Sequence, residues 1–374
     1  MIHDISIRLA GKTYRLSAFP QLPSLNQLTG YAQLPSYAQE ALQFCHQWVQ
    51  GVESFVQHTS GSTGTPKPIE ISRKQMQESA HMTISALGLK AGDKALVCLG
   101  ANYIAGKMML VRAMEAGMDL IIVQPSSLPL RGVSDPVDFM AVVPLQLKSM
   151  LDEEQPQLLE QLNRMKAIIV GGGAVSSELE KSIYSKLKSP VYSTYGMTES
   201  VSHIALRRLN TEKASELYQV LPGIEVKTDR RGCLMVRGAV TRHHWLTTND
   251  MVKMEGQKYF RWLGRADNVI NSGGLKIHTE LLEKELESGI QLLGRYRQFF
   301  VAGLPDEMLG ERVTLFVEGE HPPSEKMERF YAWTRERFPF YKQPREVFFC
   351  SKFLLTSTGK LRRKASIELA MGNS

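Results

Sequence analysis

Cysteine is scarce in this chain, and none of it is placed for paired work. Cys45, Cys98, Cys233 and Cys350 lie far apart, with no CxxC and no metal-ligand spacing. That argues against a disulfide framework or a zinc module and fits free thiols in a reducing cytoplasm. The pair His243-His244 has no helical i, i+4 partner and reads as a loop feature. Long hydrophobic runs are missing too. The most apolar stretch, 95 to 123, is broken by Lys107, Arg112, Glu115 and Asp119, so it cannot span a membrane. The N-terminus alternates like a strand pair around Gly11-Lys12, unlike a signal peptide. Internal repeats and long low-complexity segments are absent. Charge is only mildly biased, Lys and Arg numbering 45 against 38 acidic residues, for a net +7. The basic residues are dispersed, apart from Lys360, Arg362, Arg363 and Lys364, which read as a solvated helix start. Without interleaved aromatic and basic residues, a nucleic-acid surface is not expected. Small anionic partners suit the charge better.

What is present describes an ordinary globular protein. Hydrophobic residues make up 43% and charged residues 22% of 374, enough for two or three domains at roughly 150 residues each. Helical patterns at 37–50, 73–88, 105–116, 144–151 and 176–187 alternate with strand-like runs such as KALVCLG, MDLIIV, DFMAVV, KAIIVGGG and VYSTYG. That alternation predicts an α/β fold with a mainly parallel sheet and ligands at the strand carboxyl ends. From about 215 to 264 short glycine-punctuated segments predict an antiparallel β subdomain. The last stretch, with helices at 279–288 and 324–336 and strands between, predicts a small α+β domain.

One stretch, Thr59-Ser60-Gly61-Ser62-Thr63-Gly64-Thr65-Pro66-Lys67, sits between two strand-like runs. Glycines let backbone N–H groups approach an anion, hydroxyls add donors, and Lys67 adds a point charge. A phosphate cradle and a flexible linker both fit the loop alone. Four further pieces bear on the choice. Tyr195 to Ser200 (YGMTES) offers an aromatic face, a close-approach glycine, a hydroxyl and the Glu199 carboxylate. A carboxylate beside phosphates is repelled unless a cation lies between, which makes Mg²⁺ its natural partner. Asp250, read as following a β segment, is placed to accept from two ribose hydroxyls. Arg265 opens LGRADNVINSGGLKI, and Lys360 ends a Thr/Gly loop.

In this order and spacing the chain, from about Ser54 to Lys364, resembles the AMP-forming acyl-CoA synthetase (adenylate-forming) family. The resemblance implies a large domain over 1–264, a hinge at 265–267 and a small lid domain over 268–374. It implies that Thr59, Ser60, Gly61, Ser62, Thr63, Gly64 and Lys67 wrap the ATP phosphates. Gly172, Gly173 and Ala174 would flank adenine and acyl group, with Thr194, Tyr195 and Gly196 beside them and Tyr195 stacking on adenine. Thr198 would touch phosphate, Glu199 would hold Mg²⁺, and Asp250 and Arg265 would bind ribose. Asp267 matches the hinge, Gly273-Gly274 the loop near the CoA pantetheine path, and Lys360 the catalytic lysine. Two departures stand out. Only 58 residues precede the loop, implying a cut-down N-terminal subdomain. Asn249 stands where the family favours glycine, a change a left-handed turn tolerates.

The chemistry implied is attack of a carboxylate on the ATP α-phosphorus, giving acyl-AMP and pyrophosphate. CoA thiolate then attacks the acyl carbonyl. The stretch ANYIAGKMMLVRAMEAG corresponds to the family's acyl pocket and carries Gly106, Lys107 and Arg112. Both cations could snorkel to solvent. Alternatively they meet a substrate with a second carboxylate, which arginine binds in bidentate fashion. With VVPLQLKSML after it, the pattern resembles o-succinylbenzoate–CoA ligases of menaquinone biosynthesis, although Ala105 replaces a serine common there. Other aryl or short acyl acids, and a non-catalytic adenylate-binding module, are the alternatives. The expected partners are a small carboxylic acid, ATP, Mg²⁺ and CoA, with no nucleic acid and no membrane insertion. The sequence leaves open whether the chain forms a homodimer.

Overall fold

A computed structural model describes residues 4–58, 68–153, 155–356 and 361–372. The chain opens with a hairpin of Ser6–Leu9 (β1) and Lys12–Arg15 (β2). Helix Ser36–Val49 (α1) follows, then the antiparallel ribbon Ser54–His58 (β3) and Pro68–Ser72 (β4). Ser72 begins helix Arg73–Leu87 (α2) through a capping box with Gln75, and Gly88 ends it in the left-handed conformation. The alternating part runs Lys94–Val97 (β5), Ile104–Ala116 (α3), Asp119–Ile122 (β6), Phe139–Val142 (β7), Pro144–Asp152 (α4), Pro156–Arg164 (α5), Ala167–Val170 (β8), Ser177–Lys186 (α6) and Val191–Gly196 (β9). Helix α5 has no counterpart in the expected elements. Its signal is a proline at the first helical position and buried Leu158 and Leu162 four residues apart.

Six strands, β1, β6, β5, β7, β8 and β9, run parallel to their neighbours in this region. Their apolar runs are explained by burial on both faces. In β5, β7 and β8, Ala95, Phe139 and Ile169 face the core beneath α1, α2 and α3. Leu96, Met140 and Ile168 face a second core beneath α4, α5 and α6. The fold class is thus the expected α/β arrangement.

Past β9 come His203–Arg208 (β10), Tyr218–Val220 (β11), Glu225–Thr228 (β12), Cys233–Arg237 (β13), Leu246–Glu255 (β14) and Tyr259–Arg265 (β15). These strands are antiparallel, but they make no sheet of their own. β10 pairs with β9 and β11 with β10, so they extend the parallel sheet to thirteen strands in the order β12-β13-β14-β15-β11-β10-β9-β8-β7-β5-β6-β1-β2. Strand β10 escapes sequence reading because HIALRR follows the YGMTES turn without a glycine or proline break.

The remaining chain gives Ile270–Ser272 (β16), Leu275–Ile277 (β17), Thr279–Ile290 (α7), Tyr296–Asp306 (β18), Gly310–Gly319 (β19), Ser324–Arg337 (α8), Glu346–Cys350 (β20) and Arg363–Gly372 (α9). Their own sheet, β17-β16-β19-β18 with β20 on β19, carries separate cores around Phe330 and Phe353. The basic cluster expected as a solvated helix start is otherwise engaged at Arg363. Its guanidinium spans both oxygens of Glu283, at 2.7 and 3.0 Å, and donates to the Val301 carbonyl. A charge facing a half-buried carboxylate on α7 is held there rather than left to water.

Candidate active site

The carboxyl ends of the parallel strands form a shelf. Gln146 on α4 accepts from Val143 N and donates to the carbonyls of Cys98 and Ser126, tying the ends of β5 and β7 together. β8 runs into Gly171-Gly172-Gly173. A β-carbon at Gly171 would collide with Thr194 Oγ1, whose hydroxyl donates to the Val170 carbonyl at 3.2 Å. Gly172 takes φ +81° above Val143. Gly172, Gly173 and Ala174 are exposed on this shelf.

Beside it β9 ends in Tyr195 and Gly196. Gly196 is pressed against the Ser202 carbonyl and the His203 Cα, an approach no side chain would allow. Thr198–Ser200 form one 3-10 turn, held by buried Ser200, whose Oγ accepts from Met197 N. Glu199 is exposed on the turn. Val201 then adopts φ 68°, ψ −55°, with Ser202 N donating to Ser200 O at 2.8 Å. This is the strained form of γ-turn, and it is unusual for a β-branched residue. Such strain gathers at functional positions. Nothing in the sequence pattern announces it.

Asp250 differs from the sequence expectation. It lies inside β14, not after a strand, and directly faces Arg265 on β15. Against β13, the pairing jumps from Cys233↔Met251 to Met235↔Thr247, so 248–250 form a bulge that re-aims their side chains. Asn249 is correspondingly in extended strand, with no left-handed turn, and donates to Asp267 at 3.2 Å. Asp250 Oδ2 accepts from the Tyr195 hydroxyl at 2.9 Å and Oδ1 from Trp262 Nε1 at 3.3 Å. Arg265 Nη1 stands 3.9 Å from Oδ1. Tyr195 is a buried ring set edge-on to Phe260 and Tyr218. Burial first, and then the Asp250 charge, push its hydroxyl well above the usual tyrosine range, so it stays a donor. Trp262 was readable only as one aromatic in KYFRWLG.

The segment after β15 is clasped by Glu280 of α7. Its Oε2 accepts from Arg265 N at 3.3 Å and its Oε1 from Asn268 Nδ2 at 2.6 Å. Arg265 also donates to Asp267 at 3.1 Å. Gly273 and Gly274, at φ +58° and +79°, make the β16–β17 turn. Two successive left-handed residues are what such a two-residue hairpin turn requires.

The two cations of α3 part company. Lys107 donates to Gln57 Oε1 at 3.0 Å and borders a crevice of about 330 Å³ with Phe44, Phe55, Gln43 and Asn102. Arg112 points to the other side, toward β10. It is 2% exposed, so it does not snorkel. Its Nη2 donates to Ser202 Oγ at 2.7 Å and approaches His203 Nδ1 at 3.5 Å, while Nε has no partner. Among the described residues no carboxylate pairs with it. Burial draws its pKa down to about 9, which leaves it charged at neutral pH. Gly106 packs the first turn of α3 directly onto the Gly100 carbonyl. The set expected around the acyl group is therefore divided between two faces of one helix. Thr59 to Gly64, Lys67 and Lys360 lie outside the described residues. Among the described residues no three His, Cys, Asp or Glu side chains could together hold a metal ion, and no helix is long and apolar enough to cross a membrane.

Residues 32–239 match the family described as AMP-binding enzyme, and 285–360 match the AMP-binding enzyme C-terminal domain. The chain belongs to the AMP-binding enzyme family. It is a ligase of the acyl-CoA synthetase type. Among similar proteins, the 2-succinylbenzoate–CoA ligase of Lactococcus lactis is 24% identical over 328 residues, 83% of this chain and 69% of the relative. An acyl-CoA synthetase (AMP-forming)/AMP-acid ligase II-like protein from Dyadobacter fermentans is 42% identical, with TM-score 0.60 over 90% of this chain and 95% of that one. The o-succinylbenzoate coenzyme A synthetase of Bacillus subtilis, solved with ATP and magnesium ion, is 23% identical and shares the fold at TM-score 0.68, over 83% and 69% of the two chains. In this AMP-binding enzyme the glycine shelf and Tyr195 follow from the ends of β8 and β9, and Tyr195 joins Asp250, which faces Arg265.

Proposed function

We propose that this protein joins o-succinylbenzoate to CoA through an acyl-AMP intermediate, with ATP as co-substrate. The observation that carries the acid is Arg112, a buried and charged guanidinium beside neutral Ser202 and His203 with a donor left over. A buried cation without an anion is costly. An acid with a spare carboxylate would supply the missing charge in a charge-assisted pair. The curated relatives named for this substrate support the same reading.

In the proposed site, Asp250 and Arg265 meet the ribose hydroxyls, the Gly172–Ala174 shelf flanks the acyl-adenylate, and Tyr195 closes the nucleotide side. The division into 1–264, a 265–267 hinge and 268–374 is retained as part of this proposal. Thr59–Lys67 would hold the β- and γ-phosphates and Thr198 the transferred one. A single exposed carboxylate, Glu199, in no cluster of potential ligands among the described residues, suits Mg²⁺, which takes one or two carboxylates and completes its shell with phosphates and water. Bound there, the ion would neutralise phosphate charge. Lys360 would lie between carboxylate and α-phosphate, where repulsion is greatest.

The test is pyrophosphate release and thioester formation with o-succinylbenzoate, benzoate and a fatty acid. o-Succinylbenzoate should give the highest kcat/KM, and R112A should lower that value by roughly tenfold to a hundredfold, as loss of a charge-assisted bond costs about 1.5–3 kcal/mol. Its KM for ATP should stay within threefold. A preference for benzoate or a fatty acid would remove the substrate assignment.

A further inference from the structure

Behind Arg112 lies a line of hydrogen bonds whose directions can be worked out. Thr83 of α2 donates its hydroxyl proton to the Ser79 carbonyl at 3.2 Å. With its proton directed to Ser79, Thr83 Oγ1 meets His203 Nε2, 3.0 Å away, as an acceptor. Nε2 therefore carries the hydrogen. On the opposite edge of the ring, Nδ1 faces two groups at 3.5 Å: Arg112 Nη2, which can only donate, and Ser202 Oγ, which accepts from Nη2 and keeps its own hydrogen to give. Nδ1 therefore presents a lone pair. The two deductions agree on one neutral tautomer, and burial together with the neighbouring guanidinium disfavours a proton on both nitrogens. Thr83 and His203 are both buried, so no water competes for these bonds.

The backbone serves the same arrangement. The strained γ-turn at Val201 delivers Ser202 and His203 together, immediately after Thr198 and Glu199. Ser202 Oγ takes one hydrogen of Nη2 and the His203 ring faces the same nitrogen. Held by Ser202 Oγ at 2.7 Å and faced by His203 Nδ1 at 3.5 Å, Nη2 restrains the guanidinium plane before any ligand arrives.

We propose that His203 and Thr83 are positioning residues for Arg112, Thr83 fixing the His203 tautomer and His203 Nδ1 fixing the guanidinium toward the acid's spare carboxylate. This rests on the reading of Arg112 as the acid's anchor. Neither residue touches substrate; each acts through the arginine. The oxygen of an asparagine at 203 falls near the place of Nδ1, whereas leucine offers no acceptor.

R112A, H203L, H203N, T83V and T83S would be compared for KM and kcat toward o-succinylbenzoate and for KM toward ATP, and His203 observed by ¹⁵N NMR in the wild type. H203L should raise KM for the acid at least tenfold with kcat within threefold, and H203N should return it to within threefold of wild type. T83V should raise it threefold or more, T83S should not, and KM for ATP should hold throughout. The His203 ring should show a hydrogen on Nε2 alone. A hydrogen on Nδ1, or wild-type KM in both H203L and T83V while R112A is impaired, overturns the positioning role and leaves the anchor standing. An unaltered KM in R112A removes the anchor itself. Should H203L fold poorly, the near-isosteric T83V and the NMR signature still decide.

Discussion

A tyrosine hydroxyl and a carboxylate oxygen 2.9 Å apart join Tyr195 to Asp250 across 55 positions of sequence. The bond spends one of the carboxylate's lone pairs and Trp262 another, so Asp250 has a fixed orientation and unused acceptor capacity. Tyr195 therefore does more than offer a ring. Y195F keeps the aromatic packing on Phe260 and removes only the bond. It should cost about 0.5–1.5 kcal/mol, seen as a KM for ATP raised up to roughly tenfold, with KM for the acid unchanged. An unaltered KM for ATP would mean that Trp262 and the strand bulge orient Asp250 unaided.

At the scale of elements, Arg363 is the charged fastening of α9, beside Ser366, which accepts from Leu354 N, and the packed Ile367 and Ala370. Arg363 bridges both oxygens of Glu283 on α7 and the Val301 carbonyl on β18, with its guanidinium over the Phe300 ring at 5.4 Å. Glu283 also accepts from Val301 N at 2.8 Å. Burial pushes the Glu283 carboxyl up, and Arg363 pulls it back toward ionisation. R363A should therefore destabilise by about 1.5–3 kcal/mol, the cost of losing a hydrogen-bonded charge from a half-buried partner. Urea midpoints of wild type, R363A and R363K would measure it, the lysine recovering only part because it cannot span both oxygens. Lys284, by contrast, faces Glu180 and Glu216 at 3.7 and 3.4 Å across open surface. Its removal should cost well under about 1 kcal/mol.

For the molecule as a whole, all four cysteines are free and buried. Burial pushes Cys45 and Cys98 up to about 12 from an ordinary value of 9.0. Above pH 9 the unfolded chain releases these protons while the folded chain keeps them, so the unfolded state binds fewer protons and stability falls as pH rises toward 12. Urea midpoints from pH 8 to 10.5 should decline. A C45A/C98A variant, less stable at pH 8 for lack of two packed thiols, should decline less steeply. A thiol reagent should react slowly until denaturant is added; rapid labelling of the native protein would contradict the burial. Large-scale packing also reaches across the two sheets. Glu287 of α7 accepts from Ser177 N at the start of α6, and Glu280 clasps the segment after β15. Among the described residues, Glu280, Lys284 and Glu287 of α7 thus carry contacts between the C-terminal part and the larger one.

By itself the sequence determined the alternation of helices and strands from 73 to 196, helix α5 apart, because strands buried on both faces must be apolar throughout and helices must show a 3.6-residue period. It also determined the family, because YGMTES, Asp250, Arg265 and the Thr59–Lys67 run keep their order whatever the packing. Tertiary structure alone decided that the β segments after 215 continue the main sheet, since pairing partners are chosen by neighbours distant in sequence. It decided that Asp250 sits on a bulge facing Arg265, since register is a property of two strands and not of one. It separated Lys107 from Arg112, because five helical residues turn a side chain to another face. And it set a buried arginine against Ser202 and His203, from the turn before β10 and its first residue, with Thr83 of α2 behind the histidine. No local pattern marks that grouping, because what makes it chemical is that, among the described residues, no carboxylate meets the guanidinium where the elements converge.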